Sequence, residues 1–168
     1  LKVPHGHDLE ALTPLIPTFL CYVLSFLNVG IYWNNHHHMF QAVRHVGGWV
    51  LWTNLLLLVW LSLMPFVTAF MGENGAAPWT VLLYCFDLAM CALSYFLLET
   101  ALITQHGKDS AFAKSLNKSA KDMASLGAYI VALALALVWP WVSLGLVALV
   151  ALAWVVPDRR FTAEKSAD

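Results

Sequence analysis

The sequence predicts an all-α, polytopic membrane protein, on three observations. Of its 168 residues, 60% are apolar and only 11% are charged, against roughly 45–50% and about 25% in soluble domains. The apolar residues fall into stretches of the length a bilayer demands, about 20 residues. Eight Trp suit a protein that meets two membrane interfaces. The mean hydropathy of +0.69 agrees. These values exclude a disordered chain, a disulfide-held mini-protein and a nucleic-acid binder with a basic face, and they argue against an ordinary soluble enzyme. The net charge of −1 points to no partner. Cys21, Cys85 and Cys91 lie in apolar stretches without ligand spacing and read as buried free thiols.

Five membrane helices are expected, in a single transmembrane domain over residues 1–156 followed by a polar tail at 157–168. The first covers residues 15–40. Pro14 and Pro17 mark its start, where a missing N–H costs nothing, and it ends in the polar run Asn34-Asn35-His36-His37-His38. The second covers 49–71, after the Gly47-Gly48 break, with Asn54, Ser62 and Thr68 as its polar residues and Pro65 as a kink point. The third starts after Pro78, runs to about residue 104, and holds Asp87 and Glu99. A Lys-bearing polar loop follows, with a short surface helix expected at 111–116. The last apolar tract, 126–156, is cut by Trp139-Pro140-Trp141 and reads as a hairpin of two helices, 122–138 and 141–156, in preference to one kinked helix.

Orientation follows from Lys and Arg in the short loops. Arg44 follows the first helix. Lys108, Lys114, Lys118 and Lys121 lie between the third and fourth, and Arg159, Arg160 and Lys165 lie in the tail. The two remaining connections carry none. The basic side, with the C-terminus, is expected in the cytoplasm of a cell with an inner membrane. Five helices then leave Leu1 outside with no visible signal peptide, so a further helix is expected before residue 1.

Few residues in the apolar stretches are ionisable, and such groups are functional candidates. Asp87 lies nine residues past Pro78, roughly 13 Å along its helix. It reads as an ion or proton group, or as a carboxyl that hydrogen-bonds a neighbouring helix. Glu99 lies about 120° round the same helix, so the two carboxyls share no straight face, and Glu99 reads as interfacial or loop-paired. Three adjacent His on a helix point about 100° apart and cannot jointly chelate one metal, so no metal or other cofactor is expected. Trp33, His37, Gln41 and Arg44 share one face, and Tyr32, His36, Met39 and Phe40 another. Such a surface suits a polar network at a helix junction. Asn54 lies at the same level, and a contact between it and the His run is expected.

The stretch Asn28-x-x-x-Tyr32-Trp33-x-x-His36-His37-x-x-Phe40, then Asn54-Leu55-x-x-Leu58, then Leu63-x-Pro65-Phe66-x-Thr68, resembles the bacterial branch of the endolysosomal potassium channel family. That resemblance implies six helices per repeat, a homotetramer, and a pore lined by the first helix, which carries a Phe-Ser-Asp motif and a ring of apolar residues. It also implies a polar network that braces the lining helix and includes Trp33, His37 and Asn54, with His36 and His38 beside them. No Phe-Ser-Asp occurs in these 168 residues, so the chain resembles a member seen without its lining helix.

The reading is therefore a passive K⁺ channel subunit and not an enzyme. Membrane lipid and further copies of itself are its partners, and it has no nucleic-acid or soluble partner. Transported K⁺ is its only ion. Two alternatives remain open. One is a proton-conducting or pH-sensing channel on the same scaffold. The other is a non-conducting membrane enzyme or assembly factor using the His cluster.

Overall fold

A computed structural model describes residues 12–13, 15–41, 43, 45–107 and 120–155. It holds five helices: α1 (Ile16–Gln41), α2 (Gly48–Asn74), α3 (Pro78–His106), α4 (Ala120–Leu135) and α5 (Pro140–Val155). No strand occurs among the described residues. The expected surface helix at 111–116, Arg44, three of the loop lysines and the tail all lie outside the described residues.

Proline and glycine set the boundaries. Pro78 opens α3 at its first turn, behind an extended Ala77, where proline's fixed φ is pre-organised and its missing N–H leaves no gap. Gly75 ends α2 with φ +69 and Gly107 ends α3 with φ +86, conformations that carry a steric cost for other residues. The Thr80 hydroxyl lies 2.8 Å from both the Gly75 and the Ala77 carbonyls and tightens this turn. α2 runs without interruption through Pro65. α4 and α5 form the expected hairpin around Trp139-Pro140. In it Ser143 reaches across to donate to the Ala132 carbonyl at 2.7 Å.

Helix directions alternate. The C-terminal parts of α1, α3 and α5 and the N-terminal parts of α2 and α4 meet at one end, which we call the His36 end. The Pro78 turn and the Trp139 hairpin mark the other. α3 is the central helix and packs against α2, α4 and α5. Around it lie two apolar clusters. One, toward the Pro78 end, is built on Met64, Val81, Tyr84, Leu88 and Ala132. The other, toward the His36 end, is built on Met39, Leu57, Leu98 and Leu102. Cys85 and Cys91 are buried free thiols within the first cluster.

The outer surface is apolar. Phe26, Leu51, Leu149 and Leu152 are all more than half exposed. α2 and α3 are long and apolar enough to cross a membrane. α1 is 26 residues long but polar in its last third. α4 and α5 have 16 residues each, about 24 Å at 1.5 Å per residue, against a hydrocarbon core of about 30 Å.

At the His36 end one side chain closes the α2–α3 junction. Gln105 Oε1 accepts from the Gly47 amide at 2.9 Å, and Gln105 Nε2 donates to the His45 carbonyl at 2.9 Å. A Cβ on Gly47 would come within 2.9 Å of that same Oε1. Gln105→Ala is expected to cost about 1–3 kcal/mol, from two bonds at roughly 0.5–1.5 kcal/mol each, and to speed hydrogen exchange at the Gly47 amide. Gly47→Ala is expected to act in the same direction by displacing the glutamine. Protection at residue 47 unchanged in Gln105→Ala would show that the clamp does not hold the junction.

Candidate functional site

The polar end of α1 lies against the first turns of α2. His36 Nε2 donates to Asn54 Oδ1 at 2.6 Å, and since an amide oxygen only accepts, the proton sits on His36 Nε2. The other side of the His36 ring packs on Phe40, with centroids 4.5 Å apart. The bond joins residues 18 apart in sequence and is a polar tie between α1 and α2 inside an otherwise apolar contact.

His37 points elsewhere. It stacks on Trp33, one turn back, at 5.2 Å and 11° between planes. It accepts from Gln41 Nε2 at 2.9 Å. Both Trp33 and His37 face outward, with Trp33 63% exposed. His38 is half-buried, its ring tilted 60° to that of His37 with centroids 5.9 Å apart. The run thus divides its three imidazoles among different surroundings, as the 100° step of a helix requires. Asn34 and Asn35 differ in the same way: Asn34 is half-buried, while Asn35 is buried and donates to the Ile31 carbonyl at 2.9 Å.

Asp87 is buried in the middle of α3, and neither carboxyl oxygen has a hydrogen-bond partner. Glu99, toward the C-terminal end of α3, is also buried, at 3% exposure. Both are enclosed, although 120° apart, because α3 is central and neighbours cover more than one of its faces. Among the described residues no three His, Cys, Asp or Glu side chains converge on a metal position.

Comparison with known proteins decides the family. The model of the endosomal/lysosomal potassium channel TMEM175 family matches residues 1–65, the segment that holds α1, the His run and most of α2. A protein named a potassium channel from Chryseobacterium sp. (strain P1-3) is 43% identical over 166 residues, covering 99% of this chain and 85% of that one. The chain belongs to the TMEM175 potassium channel family. Two further similar proteins carry the name potassium channel. One, from Streptomyces collinus, is 30% identical over 68% of this chain and 62% of its own length. The other, from Chamaesiphon minutus, is 26% identical over 86% of this chain and 77% of its own length. No solved structure matches the chain. Family and relatives are channels of the membrane, not enzymes.

In this TMEM175-family chain the structure brings Asn54 to His36, keeps Trp33 with His37 on the outer surface of α1, and leaves Asp87 apart from both. Asn28, which opens the family stretch, is a further polar residue of α1 outside the expected site. It is buried, donates to the Leu24 carbonyl at 3.0 Å and lies 3.5 Å from the Tyr84 hydroxyl. Its seven-residue spacing from Asn35, two turns on one face, is the signal that could have singled it out.

Asn54→Leu leaves the His36 N–H facing an apolar helix and is expected to cost about 1–3 kcal/mol. The double variant with His36→Phe is expected to recover most of that loss. His37→Ala, at an exposed ring, is expected within about 0.5 kcal/mol of the parent. Thermal unfolding of the detergent-solubilised protein measures all three. Equal losses for His36→Ala and His37→Ala would contradict the assignment of Asn54 to His36.

Proposed function

We propose that this protein is a subunit of a passive, K⁺-selective channel in a bacterial inner membrane, assembled as a homotetramer. The observation that carries the reading is the 43% identity over 99% of the chain to a protein named a potassium channel. In this reading all five helices cross the bilayer. The exposed tryptophans support it. Trp49 and Trp52 lie at the His36 end, and Trp79, Trp139 and Trp141 at the other, each at least 59% exposed, where indoles meet the two headgroup layers. The indoles of the hairpin turn let the 16-residue α4 and α5 reach the interface. The basic loops and the C-terminus face the cytoplasm.

The 168 residues form the scaffold. The ion path is lined by a helix bearing the Phe-Ser-Asp motif, which this sequence does not contain. The gate is an apolar constriction, which holds ions back because stripping their water costs more than the wall returns. His36 and Asn54 fix α1 against α2. The stacked, outward-facing Trp33–His37 pair offers a flat polar surface on which the lining helix is braced, with His38 at its edge. Conduction of this kind asks for no cofactor beyond the transported ion, and the apolar outer surface takes lipid and neighbouring subunits.

The test is K⁺ flux from proteoliposomes holding the intact gene product, with the Leu1–Asp168 piece as control. Selective flux from the intact protein alone is the expected result, and Trp33→Ala or His37→Ala is expected to lower it several-fold with insertion unchanged. Flux from the Leu1–Asp168 piece as well would put the path among the helices described above, with Asp87 as its leading group. Silence from both, with insertion verified, would sink the channel reading.

A further inference from the structure

α1 turns a polar face inward. Ser25, Asn28 and Asn35 are buried, with Tyr32 half-buried between them, while Phe19, Phe26 and Leu27 on the other side are more than half exposed. Positions 25, 28, 32 and 35 follow one another along a single helix face. Where that face meets α3, α4 and α5 lies a part-open cavity of about 40 Å³. Asn28 and Asn35 line it, together with the rings of Tyr32, Tyr95, Tyr129 and Trp154.

The hydrogen bonding of the two asparagines fixes what they offer. Each donates its Nδ2 to the carbonyl four residues earlier, Asn28 to Leu24 at 3.0 Å and Asn35 to Ile31 at 2.9 Å. A carbonyl only accepts, so the amide nitrogens face it and the oxygens turn away. Both residues are more than nine-tenths buried, and no described donor answers either Oδ1. The rim at the His36 end already carries the chain's own charges. The Lys121 Nζ lies 4.4 Å from the centroid of the Trp154 ring, and the Asp122 side chain lines the same end. Ser125 beside them is committed: it donates to the Lys121 carbonyl at 2.7 Å and accepts from Trp154 Nε1 at 2.8 Å. With charges of both signs supplied at the rim, the two amide oxygens ask for a neutral donor of hydrogen bonds.

Size and spacing select that donor. A water needs about 10–15 Å³ on this measure, so the cavity takes about three. The spacing of the asparagines gives the same count. They are seven residues apart, about 10 Å along the helix, and a file of about three waters joined by hydrogen bonds of about 2.8 Å spans that gap. Each water then has at least two polar partners, as a held water requires.

We propose that this cavity holds a file of about three ordered waters, bonded at its ends to the Asn28 and Asn35 amide oxygens. Water, and not a side chain of α3 or α4, then satisfies this part of the inner face of α1. The site lies within one chain and stands independently of conduction.

The test is radiolytic hydroxyl labelling of the intact protein in detergent, read by mass spectrometry at single tyrosines. Short X-ray pulses split a held water where it sits, and the radical oxidises the nearest ring. Tyr129 lines the cavity at 4% exposure, Tyr84 lies outside the lining at 1%, and Tyr22 is 47% exposed. Tyr129 is expected to label several-fold faster than Tyr84 and to keep its rate when a bulk radical scavenger quenches Tyr22. Asn35→Leu is expected to lower the Tyr129 rate several-fold and to leave Tyr22 unchanged. Should Asn35→Leu fail to fold, Ala92→Val, which narrows the cavity wall, is expected to lower it instead. A Tyr129 rate no higher than that of Tyr84, or one unchanged in the variant, would overturn the proposal. So would quenching of Tyr129 in step with Tyr22, which would put bulk solvent against the ring in place of held water.

Discussion

Polar side chains in a chain this apolar have few partners to choose from, and that scarcity organises the structure. Most buried hydroxyls and amides turn back on their own helix. Thr68 donates to the Met64 carbonyl at 2.6 Å, Ser94 to Met90 at 2.7 Å and Asn35 to Ile31 at 2.9 Å. Such bonds cost no tertiary freedom and carry no information about neighbours. Other bonds join one helix to the next and hold the two in register. His36–Asn54 fixes α1 to α2, Gln105 fixes α3 to the start of α2, and Ser143 and Trp154 fix the α4–α5 hairpin near its two ends. In an apolar surrounding that supplies little hydrophobic force between helices, packing and a small number of such ties set the geometry.

The helix pattern was legible because its punctuation is covalent. Proline at 78 and 140 and glycine at 47–48, 75 and 107 act through φ and the missing N–H or Cβ, and those properties travel with the residue. The level of the Asn54 contact was legible too, because rise per residue is constant. The choice of His36 over its neighbours was not. It depends on the rotation of α1 about its own axis, which is set by how the two apolar clusters fill, and the apolar residues of α1 are spread too evenly round the helix to fix that rotation.

Glu99 shows the same boundary from the other side. A carboxylate near a helix end reads as interfacial when the helix is taken alone. Inside the bundle, α3 is covered by α2, α4 and α5, so exposure depends on position across the bundle as much as on depth. The cavity beside α1 was hidden for a related reason. Asn28 and Asn35 were visible as residues, but a void is a property of four helices together.

The polar groups of the His36 end divide into those that bond between helices and those that bond along α1. The His36–Asn54 pair is complete within the chain and can only position. The Trp33–His37 stack is satisfied along its own helix and lies on the exposed side of α1. This asymmetry separates the tie between helices from the exposed pair more sharply than the sequence alone, where all four residues sit in two short polar islands. It also explains why removing one ring from the exposed pair and one from the half-buried pair are different experiments. The first removes an exposed ring that bonds only along α1, while the second breaks a bond that joins α1 to α2.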